Sequence, residues 1–388
     1  MIQKNKTIPL SVPSICGNEW TYVKECLDTG WVSSVGSYVD RFESVLAEYV
    51  GSKYAVAIVN GTAALHLSLL ACGIGPEDEV IVPGLTFIAP VNAVRYCGAF
   101  PVFMDCDRET LCLDVNKTRD FIRTECIKRQ DGYAYNKKTK KRIKAIIPVH
   151  VFGHPTDMDP LLDIAEEYNI NVIEDATESL GSEYKGRKTG SFGEIGCFSF
   201  NGNKIITTGG GGMVVTDKKE LSDRIRHLST QAKKNSFEYD HDLIGYNYRL
   251  NNVQAAIGIA QMENIEKFIE IKRKNSSLYR SLFSNMDDIN FAGERPEVKS
   301  NFWFYTLRVP AQDKYSLMQY LILKGIEVRP LWKLIHTLPM YKKSAETYLI
   351  EEAVNAYDTC INLPCSVSLK TEEVEVVTTH IRSYFESR

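Results

Sequence analysis

The sequence predicts an α/β fold: a mostly parallel sheet flanked by helices, followed by a smaller α+β domain. Three observations lead there. From about residue 50 to 260, short apolar runs alternate with segments of helical period. Such alternation gives parallel strands covered on both faces. Past Asn251 the alternation stops and a long helical stretch begins. A chain of 388 residues is long enough for two domains. We place the large domain, with its N-terminal segment, at 1–260 and the small one at 261–388.

The elements follow in order. A strand is expected at 54–59 and a helix at 61–72, with Leu65, Leu69 and Cys72 near one face. Next come a strand at 79–82, a helix at 87–97 and a strand at 101–104. The run 145–151 reads as one continuous apolar strand. A helix at 158–168 precedes a strand at 170–174, and strands at 197–200 and 213–215 complete a set of seven. In the second part, 253–283 reads as one long helical stretch. A strand at 303–309, a helix at 315–323, a short strand at 327–329 and a helix at 372–385 follow. No internal repeat or low-complexity linker interrupts this order.

Composition narrows the class of partner. The chain is 44% hydrophobic and 24% charged, as globular chains are. Its formal net charge of −3 points to neither nucleic acid nor an anionic membrane. No apolar stretch reaches the ~18 residues that span a bilayer. Met1 to Lys6 lack the apolar segment of a secretory signal. Ten cysteines, mostly single and in apolar company, form no C-x-x-C pair. Reduced, buried thiols in a cytoplasmic protein are expected, with neither a disulfide framework nor a metal site. Lysines and arginines crowd 128–144. A solvated surface hairpin, with Tyr133-Ala134-Tyr135 as one arm, is preferred to an anion-binding patch.

Four places carry chemistry. An apolar strand ends in Val172-Ile173-Glu174-Asp175-Ala176. A carboxylate there needs a partner, and Asp175 can hold a pyridine nitrogen protonated, or act as a cap or structural acid. Glu174 should face the other way, because strand residues alternate. Phe198-Ser199-Phe200-Asn201-Gly202-Asn203-Lys204 is followed by a four-glycine run from Gly209 to Gly212. A lone lysine is usually on the surface, but this one has Phe198, Phe200 and glycines as company. Lys204 and Asp175 together are what a pyridoxal phosphate (PLP) site needs: an amine for the Schiff base and an acid for the ring nitrogen. Asn60-Gly61-Thr62-Ala63-Ala64 lies where a strand meets a helix. It suits a phosphate at a helix N-terminus, or is simply an N-cap. Thr86-Phe87 follows a turn at a strand's carboxyl end, where Phe87 can stack on a ring or belong to the core.

Taken in fixed order, these segments resemble the DegT-type nucleotide-sugar aminotransferases, a fold type I PLP family. The matching pieces run from Asn60-Gly61-Thr62-Ala63-Ala64-Leu65 and the Pro83–Phe87 turn through Pro148-Val149-His150-Val151-Phe152-Gly153 to Glu174-Asp175-Ala176. They continue with Phe198-Ser199-Phe200 and Lys204, Thr208 with the glycine run, and Gly245-Tyr246-Asn247-Tyr248-Arg249-Leu250 before Gln254-Ala255-Ala256. The resemblance covers nearly the whole chain and implies a mostly parallel seven-stranded sheet. It implies Lys204 as the Schiff-base lysine, Asp175 on the pyridine nitrogen, Phe87 stacked on the ring, and Thr62, Ala63 and Ser199 on the phosphate. Asn247 would reach the phosphate in a partner subunit's site, so a homodimer with shared active sites is implied. Glu178 stands where the family often has Gln or His near the cofactor's 3′ oxygen. A carboxylate there repels a phenolate oxygen unless one of them is protonated. Trp31, Ser33, Ser34, Val35 and Gly36 match a loop near the sugar nucleotide. Arg329, Pro330, Leu331 and Trp332 match a C-terminal segment near it, with Lys333 and His336 as further candidates.

The implied reaction moves an amino group from L-glutamate to the C4 keto group of a nucleotide-linked 4-keto-6-deoxy (N-acetyl)hexose. The pattern is most like the branch that serves legionaminic acid-type bacterial surface sugars. Perosamine-type synthases are close to it. Amination at C3 would use the same residues. A dehydratase of this fold would carry histidine at position 204, and a non-catalytic sugar-nucleotide-binding or regulatory protein would tolerate loss of Lys204 or Asp175; both are present.

Overall fold

The computed structural model describes residues 7–235, 237–287, 289–343 and 346–387. The reading of the first six residues as lacking a signal lies outside them. Seven strands form the frame: β1 (Tyr54–Ile58), β2 (Asp78–Pro83), β3 (Phe100–Met104), β4 (Arg142–Ile146), β5 (Asn171–Asp175), β6 (Ile195–Ser199) and β7 (Gly212–Thr216). Their order is β1-β7-β6-β5-β4-β2-β3. Only β7 runs against its neighbours, β1 and β6; the other adjacent pairs are parallel. Parallel strands need crossovers, and the helices between them supply these. Their apolar runs are buried on both faces, as the sequence pattern requires.

Short strands extend this sheet. Glu346–Tyr348 adds parallel to β3, and the hairpin of Cys126–Lys128 and Ala134–Asn136 pairs antiparallel with β4. That hairpin is the basic segment. Its charges are met locally: Lys138 by Glu346 at 2.8 Å, Arg142 by Asp78 at 2.8 Å, and the Arg129 guanidinium by the Tyr135 ring at 3.8 Å. A second sheet orders Asn290–Phe291, Tyr305–Arg308, Cys360–Leu363 and Arg329–Pro330, all antiparallel.

Two expected elements differ. The run 145–151 is not one strand. β4 ends at Ile146, one bridge follows at Val149, and a 3-10 turn starts at Val151. Pro148 has no N–H for the ladder, and Phe152 takes a left-handed φ of 55°. The stretch 253–283 is two helices, Asn252–Met262 and Ile265–Leu282. Between them, Asn264 Nδ2 donates to the Ala260 carbonyl, a side chain competing with the helix backbone. Asn252–Met262 packs on Glu19–Thr29 and Ser37–Val50, whereas Ile265–Leu282 packs on Thr371–Glu386. We propose this break as the domain boundary. Among the described residues no helix is long and apolar enough to cross a membrane, and no cluster could hold a metal ion.

Asp105, just past β3, ties the second half of the chain to the sheet. It is fully buried and accepts the N–H groups of Glu351, Glu352 and Ala353 at 3.0, 2.9 and 2.7 Å. These are the free donors at the start of helix Glu352–Thr359. Lys117 Nζ lies 2.6 Å away. Burial raises the carboxyl's pKa, but Lys117 and the three N–H groups outweigh it and hold it below the usual range. A depressed carboxyl stabilises the fold above its unfolded pKa and loses that contribution as pH falls through the folded one. Asp105→Ala is expected to lower unfolding free energy by about 3 kcal/mol at pH 7, with the deficit shrinking on acidification. Denaturant titration at a series of pH values measures both.

Candidate active site

The carboxyl ends of β1, β2, β5 and β6 lie on one edge of the sheet, where open α/β sheets bind ligands. A cavity of about 590 Å³ opens there. Asp175, Glu178, Ser199, Lys204, Thr62 and Phe87 all line it. Six residues from four separate segments of the sequence thus meet in one place.

Asp175 is the last residue of β5 and is 3% exposed. Its Oδ1 accepts the Thr177 N–H at 3.2 Å. Burial pushes its pKa up, against the pull of the Thr177 hydrogen bond and the Lys204 charge. Glu174 points to the opposite face. It accepts the N–H groups of Gly190, Phe192 and Gly193 at 2.6–2.7 Å. His150 Nδ1 accepts the Thr156 N–H, so its Nε2–H is free to donate to Glu174 at 3.0 Å. Alternation along the strand has sent one carboxyl into the cavity and the other into a saturated structural network.

Lys204 follows β6 on a loop held by its own N–H to the Asn201 carbonyl. Its Nζ sits 3.6 Å from Glu178 Oε1 and 4.0 Å from the centroid of the Trp303 ring. The Trp303 Nε1–H donates to the Asn203 carbonyl at 2.7 Å, which fixes that loop. Glu178 is 4% exposed, and its Oε2 accepts the Phe152 N–H at 2.8 Å. Burial raises its pKa to about 7 despite the opposing Lys204 charge. Near neutrality much of it is therefore the acid form, which removes the repulsion that the sequence raised for this position.

At the other end, Asn60 caps helix Gly61–Ala71, its Oδ1 accepting the Ala63 N–H at 2.8 Å. The cap offered as this motif's alternative is therefore present at Ala63. Its N–H is taken and its side chain is buried, so it does not reach the cavity. The helix N-terminus still faces inward at Thr62. It presses so closely on β6 that a Cβ on Gly61 would lie 2.8 Å from Ser199 Cβ. Phe87 is 53% exposed, a ring lying open at the cavity rather than in the core.

The candidate substrate residues divide. Arg329, Pro330 and Trp332 line the cavity. Leu331 is buried in the core instead. Lys333 is exposed and His336 half-buried, and neither lines the cavity. Trp31, Ser33, Ser34 and Val35 are exposed away from it, and Gly36 abuts Asn252. Asn247 is also exposed and outside it. Trp303, Phe152, Ser11 and Asn362 line the cavity without having been singled out as site residues from sequence. For Trp303 the available signal was the aromatic run Phe302-Trp303-Phe304, which reads equally well as core.

This set fits PLP on its own terms. It offers an anion-binding helix end, an open aromatic ring, a buried acid without a strong partner and an amine. Residues 13–382 match the DegT/DnrJ/EryC1/StrS aminotransferase family. The chain belongs to this family. As a DegT-family protein it is a PLP-dependent nucleotide-sugar aminotransferase. It is 41% identical to a GDP-perosamine synthase of Escherichia coli O157:H7, over 99% of this chain and all of that one. It is 40% identical to a GDP-perosamine synthase of Caulobacter vibrioides, over 95% and 96% of the two chains. A DegT DnrJ EryC1 StrS aminotransferase from Brucella abortus superposes with a TM-score of 0.87 at 27% identity, over 95% of each chain. These relatives correct the emphasis of the sequence reading. They carry the name of the neighbouring perosamine type rather than of the legionaminic acid branch.

Two outcomes test this DegT-family site. Gly61→Ala should weaken PLP binding by about 10-fold or more, because the helix end must move off Ser199; titration of absorbance with added cofactor reads it. Glu178 has a folded pKa above its unfolded one, so it stabilises below about pH 4.5 and loses that contribution as pH rises through about 7. Glu178→Gln should lack this slope. Cofactor-free protein should show wild type losing on the order of 3 kcal/mol relative to the variant across that window.

Proposed function

We propose that the protein transfers an amino group from L-glutamate to the C4 keto carbon of a GDP-linked 4-keto-6-deoxyhexose. The observation carrying this reading is Lys204 and Asp175 in one cavity, in a chain whose 41% and 40% identical relatives are named for a GDP-sugar product. PLP, when bound, supplies a carbonyl for amine exchange and a sink for the electron pair left when a C–H bond breaks. Lys204 Nζ takes the proton from the donor's α carbon and, in the second half-reaction, works in reverse on the sugar carbon. Asp175 would keep the ring nitrogen protonated, its own charge then being compensated inside the cavity. Phe87 would lie against the ring. Thr62 and Ser199 would hold the phosphate at the helix end. Trp303, Phe152 and Trp332 form an apolar wall of the cavity.

Arg329 lines the wall near the second sheet and is assigned to the substrate side, with Trp332 beside it. Asn247 and the 31–36 loop lie outside this chain's cavity, and we assign them to the cavity of a second copy in a homodimer. We place the enzyme in the cytoplasm, where its ten free cysteines would stay reduced.

The test is incubation of purified protein with glutamate and a panel of GDP-, UDP- and dTDP-linked 4-keto sugars, with NMR of the product. Amination at C4 of the GDP sugar, with an equal amount of 2-oxoglutarate, is expected. Turnover of only the UDP-linked N-acetylated substrate would refute the GDP assignment. Lys204→Ala or Lys204→Arg should abolish turnover with every sugar; wild-type rates in either would refute the mechanism.

A further inference from the structure

We propose that Arg329 and Asn362 form the binding site for a carboxylate of the amino donor. A row of side chains across the second sheet leads to it. Thr306, Asn362 and Arg329 are direct partners in the register of three adjacent strands. Partners opposite each other share one face of a sheet. The row runs from buried Thr306 through Asn362, 5% exposed, to exposed Arg329. Asn362 and Arg329 line the cavity. The Thr306 hydroxyl donates to Asn362 Oδ1 at 2.7 Å, which fixes the amide and leaves its NH2 as the free end. Among the described residues that NH2 meets no acceptor and the Arg329 guanidinium meets no acid. Arg142, Arg249 and Arg273 are by contrast locked to Asp78, Glu43 and Glu294.

Charge decides what the pair takes. Five ionisable side chains line the cavity: Asp175, Glu178, Glu327, Lys204 and Arg329. Three are acids. Lys204 is committed to the chemistry as the reactive amine, so Arg329 is the lining cation left to meet an anion. Glutamate brings two carboxylates past those three acids, and like charges in a cavity repel. Glu327 does not cancel Arg329. Its Oε2 accepts the Leu10 N–H at 3.2 Å, and among the described residues it forms no ion pair with the arginine. An arginine fork matches the two oxygens of a planar carboxylate, and an amide N–H beside it adds a further bond. The hexose ring carries no such charge; the diphosphate of the sugar nucleotide does, and is the other occupant to be separated by experiment.

This inference rests on the aminotransferase reading. The holoenzyme and its Arg329→Gln, Arg329→Lys and Asn362→Asp variants would be compared in each half-reaction separately. Loss of the PLP absorbance reads the glutamate half. The sugar half starts from the pyridoxamine phosphate form and a GDP-linked 4-keto sugar. Arg329→Gln should raise the glutamate concentration for half-maximal rate on the order of 10- to 100-fold, and leave the sugar half within about twofold of wild type. Arg329→Lys should recover part of the loss, because it keeps the charge without the fork. Asn362→Asp can still accept from Thr306 but sets a carboxylate beside Arg329, and should weaken glutamate in the same direction. L-Alanine tells which carboxylate is held: a loss shared by alanine places the α-carboxylate there, and a loss confined to glutamate places the γ-carboxylate there. Slowing of the sugar half alone, or of both halves equally, overturns the proposal. Calorimetry with glutarate, a dicarboxylate with no amine to react, gives a second readout. Glutarate should bind wild type and bind Arg329→Gln about 10-fold more weakly; equal affinity in both, or binding to neither, overturns the proposal. Wild-type protein that binds glutarate but never reacts with glutamate would instead refute the aminotransferase reading, so the two failures are distinguishable.

Discussion

The site depends on burying two carboxyls and one amine together at the carboxyl edge of a sheet. Asp175, Glu178 and Lys204 cannot all be fully charged there at little cost, because low-dielectric surroundings penalise each charge separately. The protein resolves this by giving each group a different neighbour. Asp175 has one backbone N–H and an open cavity in front of it. Glu178 has one backbone N–H and the amine. Lys204 has a carboxylate on one side and an indole face on another. The trio lines the cavity, where we propose that a cofactor with a ring nitrogen and a carbonyl completes it.

Three other buried carboxyls, Glu174, Glu43 and Asp105, are each met by several donors. Glu174 takes three backbone N–H groups and a histidine. Glu43 binds Arg226 and Arg249 and accepts the Ala57 N–H. Asp105 takes three N–H groups and Lys117. Each of these ties one element to another: the 190–193 loop to β5, helix Ser37–Val50 to β1, helix Glu352–Thr359 to the sheet. Carboxyls met by several donors hold the frame.

Much of this was legible in advance where burial imposes a simple pattern. β1 to β7 lie on apolar runs that stand out from their flanks, and the sheet places their carboxyl ends together. Elements with weak contrast were not legible. Helix Lys219–Ser229 buries only Ser222, Ile225, Leu228 and Ser229, so its apolar stripe is thin. Helices Glu19–Thr29 and Ser37–Val50 precede the alternating region and pack chiefly on Asn252–Met262, a distant partner. Pro148 and Asn264 broke two segments that apolar period alone runs together.

The sequence by itself singled out Lys204 and Asp175 as the amine and acid of one site, and both line one cavity. Strand alternation also determined which of Glu174 and Asp175 faces the cavity, since a period of two leaves one answer. Tertiary structure decided everything that needs a distance between remote segments. It brought Trp303 over Lys204, across about a hundred residues of chain, and took the Ala63 N–H for a cap. It also aimed the Phe152 N–H at Glu178 through a strained turn. Local pattern records which residues prefer to be buried; which buried groups meet is set only when the layers pack.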